Sequence, residues 1–303
     1  MSLTKKIDFA VIFKVENANP NGDPLAGNRP RINYDSLGEV SDVCLKRKIR
    51  NRLLERGIDI FVQSDDNKID GCKNLNERFD NLLKTDKEAR SSKIETTEIV
   101  AKACAKWFDV RAFGQLFAYK SEGSNSKSKG KNKEASIEGQ EESTKADSVS
   151  IGIRGPVSIQ SAFSCQPVDI TSIQITKSAS STGDGNKKSS DTMGMKHRVD
   201  RGVYVTFGSM NPQLAAKTGF SDQDAQIIKE ILPKLFESDA SSARPEGSME
   251  VEKVIWWQHN CPSGQTSSAK IHRSLDVDDS DFNNIKIRFK EHTGPKPEII
   301  PGY

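Results

Sequence analysis

Apolar and polar positions along this chain alternate with two different periods, and each change of period marks a new element. Residues 7–15 (I-D-F-A-V-I-F-K-V) are almost continuously apolar and predict a central strand. A loop punctuated by Pro20, Gly22, Pro24, Gly27 and Pro30 follows. Leu45, Ile49 and Leu53 then recur at i, i+4 and i+8, a narrow apolar stripe on a helix over residues 41–56. Ser41 is its expected N-cap and Gly57 its stop. Residues 58–63 read as a second strand, and 76–87 and 96–107 as helices, with Ile99, Ala103 and Trp107 on one face of the latter. Residues 110–117 are apolar with a break at Gly114. Strand-like alternation returns at 149–153, 156–163, 170–176 and 203–207. A helix is expected over 221–236: Ser221 caps it, Ala225, Ile228, Leu232 and Leu235 share a side, and Pro233 kinks its last turn. Residues 251–258 and 285–289 are further strands, and Pro295, Pro297 and Pro301 predict an extended tail.

Two stretches break this pattern. Residues 120–147 are rich in Ser, Lys, Glu and Gly and nearly free of large apolar side chains. Such a segment cannot bury enough surface to order on its own, so it reads as an insertion loop spanning 118–148. A second polar excursion at 177–191 lies between two strands, which predicts a projecting hairpin or arm over about 175–204. The expected architecture is α+β, one domain over 1–303 with insertions, built as a split β-α-β sheet with long arms. That order is compatible with an RRM-like (ferredoxin-like) core without establishing it.

Composition adds little directional force. The formal net charge is +3, so any polyanion-binding surface has to be local. Hydrophobic content is 34 %, enough for a modest core once the two polar stretches are set aside. The five cysteines form no C-x-x-C pair and read as reduced thiols. The N-terminal M-S-L-T-K-K-I-D-F carries no apolar run of signal-peptide length, and no stretch approaches the ~18 apolar residues of a membrane span. A soluble cytoplasmic protein is expected.

Enzyme motifs are sparse. There is no P-loop, no G-x-G-x-x-G frame and no H-E-x-x-H. His259 and Cys261 form an H-x-C pair with nothing nearby to complete a metal site. Asp23 could serve a divalent ion, but a turn-forming aspartate is the simpler account. D-V-D-D-S-D at 276–281 lacks the glycine and terminal glutamate of an EF-hand and reads as a solvated acidic turn. No catalytic residue, metal ligand or cofactor is expected.

The binding signals are denser. Lys46, Arg47, Lys48, Arg50 and Arg52 fan around the helix faces left by the apolar stripe, which suits a polyanion dock or an ordinary solvated face. S-D-T-M-G-M-K-H-R-V-D-R interleaves Met193 and Met195 with Lys196, His197 and Arg198. Cations neutralise phosphates and methionine can wedge between bases, while a core methionine pair beside a polar strand end is the alternative. Ser158 and Gln160 sit on a strand where they could meet a backbone or base edge, or simply face water.

Six ordered segments together resemble the backbone subunit of CRISPR Cascade complexes in its type I-C form, the Csd/Csh group of the RAMP superfamily. They are F-K-V-E-N-A-N-P-N-G-D-P, D-V-C-L-K-R-K-I-R-N, D-V-R-A-F-G-Q, G-P-V-S-I-Q-S-A-F-S, S-D-T-M-G-M-K-H-R-V-D-R-G-V-Y and A-R-P-E-G-S-M. The resemblance implies an RRM-like palm with inserted finger or web elements and a thumb hairpin at about 175–204. It implies copies polymerising head-to-tail along CRISPR RNA, supporting target DNA recognition beside large, small and repeat-processing Cascade subunits. The candidate RNA contacts are then Asn21 and Arg29 of the loop, the five helix cations, Ser158, Gln160, and the Met193–Arg198 cluster. Contacts independent of sequence are required because spacers vary, and cations with methionines meet that need. The insertion at 120–147 and the composition of 178–190 have no counterpart in the family pattern.

Two rivals stay open. Some relatives cut RNA with an aspartate in the loop after the first strand, and Asp23 occupies a comparable place. A generic RRM-type module is the other, although no expected strand carries its paired aromatic stacking motif.

Overall fold

The computed structural model describes residues 1–64, 70–84, 96–120, 148–176, 193–291 and 293–303. The insertion expected at 118–148 and the arm tip expected at 178–190 fall largely outside these residues. In chain order the elements are β1 (Ile7–Ala18), β2 (Gly22–Asp23), β3 (Arg29–Pro30), β4 (Leu37–Val40), α1 (Asp42–Glu55), α2 (Leu75–Lys84), α3 (Thr96–Lys106), α4 (Phe108–Phe113), β5 (Gly114–Lys120), β6 (Ser148–Arg154), β7 (Val157–Ile159), β8 (Ala162–Pro167), β9 (Ile170–Thr176), β10 (Met193–Met210), α5 (Pro212–Thr218), α6 (Asp222–Ile231), β11 (Met249–Gln258), α7 (Ser268–Ser274), β12 (Leu275–Asp278), β13 (Lys286–Phe289) and β14 (Glu298–Pro301).

The fold is mixed α and β around a central antiparallel sheet ordered β14-β11-β1-β10-β8-β4. β1 lies in its middle, hydrogen-bonded to β10 on one side and β11 on the other. Its continuous apolar run follows from burial on both faces. Ile7, Phe9, Val11, Phe13 and Val15 point into one core, and Ala10 and Ile12 into another, as strand alternation requires. On the first face α1 and α6 lie against the sheet. Leu45, Ile49 and Leu53, each at most 1 % exposed, are the predicted stripe, and each contributes ~1.5–3 kcal/mol on burial. Ala225, Ile228, Leu232 and Leu235 form the matching stripe of α6, which gives way to a 3-10 turn at Leu232–Lys234 where Pro233 removes a donor. On the second face α7 and the β12–β13 hairpin cover Val203, Ile255 and Trp257.

A smaller third core gathers Phe61, Phe79, Ala103, Trp107, Phe117 and Ile151 from α2, α3, the 60s segment and the β5–β6 pair. Gly114 joins α4 to β5 at φ 81°, and a Cβ there would lie 2.2 Å from the Ile153 carbonyl oxygen. Arg111 ties α4 to α6. Its guanidinium reaches Asp224 at 2.8 Å, and Asp224 in turn forms a capping box with Ser221.

Two expectations need correction. Residues 58–63 form no strand, because the Asp109 carboxylate takes the Phe61 and Val62 amides (2.6 and 3.0 Å) that a ladder would use. The strand expected at 203–207 begins ten residues earlier, since β10 runs the full 18 residues from Met193. Its first six residues, 193–198, run past the end of β1 and pair with β9, from Met193↔Thr176 to Arg198↔Thr171, whereas Val199 is already shared between Ile170 of β9 and Ala18 of β1. No helix among the described residues is long and apolar enough to cross a membrane.

Candidate nucleic-acid interface

The loop after β1 packs on the N-terminus of α1. The loop after β1 is held from inside. Asn19 is buried, its amide donates to Ala243 O at 2.9 Å, and its side chain donates to Asn28 O at 2.7 Å. Asn21 accepts hydrogen bonds from the Ser41 amide and hydroxyl at 2.9 and 2.8 Å, while the Ser41 hydroxyl caps α1 through the Cys44 amide. Asn21 thus locks the loop onto the helix. At Gly22 a Cβ would fall 1.9 Å from the Asn28 carboxamide oxygen, so a larger residue there would displace that side chain. Asp23 caps the Pro24–Ala26 turn through the Leu25 amide and lies 3.5 Å from the Arg31 guanidinium. Arg29 is exposed, with no ion pair among the described residues.

The basic helix departs from the expected five-cation surface. Lys48, Arg50 and Arg52 are buried, at 5, 9 and 5 % exposure. Lys48 pairs with Asp239, which also accepts from Arg244 at 3.2 Å. Arg50 donates to Asp109 at 2.8 Å and lies over the Phe113 ring. Arg52 holds Glu55 at 2.6 Å. Of the remaining two, Lys46 pairs with Asp42 at 2.8 Å and Arg47 donates to the Ser64 hydroxyl at 3.2 Å. Burial lowers the Lys48 pKa against the opposing pull of Asp239, and raises that of the Cys44 thiol beside it. Most of the helix charge is therefore spent inside the molecule, where removing either partner leaves a buried charge uncompensated.

The β9–β10 arm is where exposed chemistry concentrates. Met193, Met195 and His197 alternate onto one face beside Gln174 and Ser172, and His197 Nδ1 lies 2.8 Å from the Ser172 hydroxyl. Lys196 and Arg198 take the other face with Ile173 and Ile175. Met193 and Met195 are 66 and 55 % exposed, Ile173 and Ile175 40 and 48 %. Four large apolar side chains on a two-stranded ribbon form no core of their own, so this ribbon presents contact surface. Arg198 lies 3.5 Å from Asp200. The isoleucines were absent from the candidate contacts, although I-T-S-I-Q-I-T already has the alternation that exposes them. Ser158 and Gln160 are exposed; the Ser158 hydroxyl bonds that of Ser209 at 2.9 Å, tying it to the neighbouring strand.

The other sequence candidates resolve plainly. His259 is buried and bonded to Asp8 at 2.8 Å, away from any metal role with Cys261. Among the described residues, no group of three or more His, Cys, Asp or Glu side chains is arranged to hold a metal ion. In the acidic turn, Asp278 accepts from the Ser280 amide and hydroxyl and Asp281 from the Asn283 amide.

The family model for CRISPR-associated protein Cas7 matches residues 5–293. A protein of Haloferax volcanii named CRISPR-associated protein Cas7 is 25 % identical over 247 residues, covering 80 % of this chain and 67 % of that protein. Among solved structures, a chain of a "CRISPR RNA-guided surveillance complex, pre-nicking" aligns with TM-score 0.45 and 12 % identity over 83 % of this chain and 77 % of its own. A second, from a "CRISPR RNA-guided surveillance complex", aligns with TM-score 0.41 and 15 % identity, over 83 and 68 %. With nearly its whole length under the family model, and the loop, helix and arm motifs in order, the chain belongs to the family of CRISPR-associated protein Cas7.

Proposed function

We propose that this protein is a non-catalytic, CRISPR RNA-binding backbone subunit of a cytoplasmic type I-C Cascade complex. Copies polymerise head-to-tail along the guide and support its pairing with target DNA, beside the large, small and repeat-processing subunits. The observation that carries this reading is the β9–β10 arm. It exposes methionines, isoleucines and cations on a ribbon that runs beyond the end of β1, in a member of the Cas7 family. A heterologous contact made by such an arm propagates as an open assembly when its rotation does not close a ring. The order β11-β1-β10-β8, with α1 following β1 and α6 between β10 and β11, supports an RRM-like palm for the subunit. The second sheet face carries α7 and the β12–β13 hairpin, so RNA reaches this palm at its edges and arm instead of by stacking on open strands.

The test is complex mass against CRISPR RNA length, with magnesium present and the RNA checked for cuts. Mass rising in equal steps on intact RNA is expected. One protein per RNA at every length would sink the filament reading and favour a simple RRM module. Cleavage that persists through purification and disappears in Asp23→Ala would establish a nuclease.

A further inference from the structure

We propose that the open groove between α7 and the end of β13 is a second nucleic-acid site, a dock for single-stranded DNA on the sheet face opposite α1. The proposal rests on the function proposed above, which assigns RNA to the loop and arm and leaves DNA as the strand still to be held.

The groove has a volume of about 870 Å³, ample for a ligand much larger than a lone phosphate. Lys270, Arg273 and Lys290 line it, with Glu291 the single carboxylate and Phe289 an aromatic wall. Lys270 and Arg273 are separated by three residues, so they share one face of α7, and both are exposed. Among the described residues neither has a carboxylate partner. That sets them apart from Lys46, Lys48, Arg50 and Arg52 of α1, each paired with a carboxylate, and from Arg288 of the β12–β13 hairpin, which lies 3.4 Å from Asp278.

The cations are also held on a rigid support. Ile271 and His272 bury the other side of α7. The His272 ring stacks on Phe207 at 4.9 Å, and its Nε2 lies 3.6 Å from the buried Asp8 carboxylate. His259 accepts the Gln265 amide hydrogen on Nδ1 at 2.9 Å and donates from Nε2 to Asp8 at 2.8 Å, which fixes the chain leading into α7. Phe289 meets Trp257 edge-on at 6.2 Å, so its ring is braced from below.

A cationic groove floor beside a braced ring is the arrangement that holds single strands: phosphates on the cations, a base against the ring. An acidic peptide would use the cations and have no need of the ring. The opposite placement of α1 follows from β1, whose alternate residues enter the α1 core and the α7 core.

The experiment uses protein assembled on CRISPR RNA, so that RNA surfaces are filled, and measures anisotropy of a fluorescein-labelled oligo-dT over a salt series. Lys270→Glu/Arg273→Glu should weaken binding at least tenfold and flatten the log–log salt slope by roughly 1.4, two contacts at ~0.7 each on a single strand. An oligomer of abasic sites should bind wild type more weakly with the same slope. Assembly on CRISPR RNA should be unchanged in the variant, which separates failure of this site from failure of the RNA reading. If the protein does not assemble on CRISPR RNA at all, the same comparison on the free protein still reads the groove. Unchanged oligo-dT binding in the variant would overturn the proposal. So would a preference for oligo-U over oligo-dT, equal binding of abasic and intact strands, or poly-glutamate displacing the probe as well as DNA does.

Discussion

Asp109 is the residue whose loss tests most sharply how the basic helix is built. It is 1 % exposed and accepts three hydrogen bonds: from the Phe61 amide at 2.6 Å, the Val62 amide at 3.0 Å and Arg50 Nε at 2.8 Å. Asp109→Ala removes all three acceptors at once. The Arg50 guanidinium then remains buried without its counter-charge, which costs about 3–5 kcal/mol. The orphaned Phe61 amide adds about 1–3 kcal/mol where water cannot reach it. The Phe113 ring beneath Arg50 recovers a fraction of this, since a desolvated cation–π contact reaches ~2 kcal/mol. The net expectation is a loss of roughly 4 kcal/mol. Urea unfolding followed by tryptophan fluorescence reads it directly, because Trp107 packs against Phe61 at 4.8 Å in the core that Asp109 organises. Asp109→Asn keeps one acceptor oxygen, enough for the Phe61 amide, but turns an NH2 toward the Val62 amide and Arg50 Nε, so it should fall between wild type and Asp109→Ala. Arg50→Met should couple favourably to Asp109→Asn in a double-mutant cycle, because the pair is then removed together. RNA assembly by folded Arg50→Met protein should match wild type, since the side chain is committed internally. An Asp109→Ala unfolding free energy within ~1 kcal/mol of wild type would refute the reasoning. So would an Arg50→Met protein that unfolds normally but no longer assembles on RNA.

Other consequences can be measured in the same way. The Arg78 guanidinium beside Asp70 holds its carboxyl down to about 2. The folded value lies below the unfolded one near 3.9, so the pair stabilises fully above about pH 4, and that stability is lost as pH falls toward 2. Asp70→Asn should flatten unfolding free energy over that window and leave its shape above pH 5 unchanged. The Tyr204 hydroxyl is buried with no hydrogen-bond partner among the described residues, and burial pushes its pKa well up. Tyr204→Phe should therefore be neutral or stabilising by up to about 1 kcal/mol, whereas Gly38→Ala, whose Cβ would lie 2.1 Å from that hydroxyl oxygen, should lower the thermal midpoint by several degrees. Met193→Glu/Met195→Glu should leave the unfolding midpoint within a degree or two, because both side chains are exposed, yet weaken RNA assembly at least tenfold; retained assembly would count against the arm.

Local sequence was enough for everything set by neighbours a few residues apart. The period of Leu45, Ile49 and Leu53 identified the buried side of α1, Ser41 and Ser221 identified two helix starts, and the break at Gly114 marked the passage from α4 to β5. Helical and strand periods are short-range properties, so they survive in the sequence. The same is true of the ordered motifs that point to the Cas7 family.

Only the tertiary structure decided which cations face water. Arg50 and Asp109 are 59 residues apart and Lys48 and Asp239 are 191 apart, so no local pattern could show that these charges cancel indoors. Residues 58–63 have strand-like sequence but lose their amides to Asp109, a side chain from another element. Met193–Arg198 became strand because β9 supplies a register, and Lys270, Arg273 and Phe289 became one groove because Asp8, far away in β1, anchors α7. Propensity and period operate over one or two turns, whereas burial, ion pairing and strand register depend on contacts closed across the whole chain.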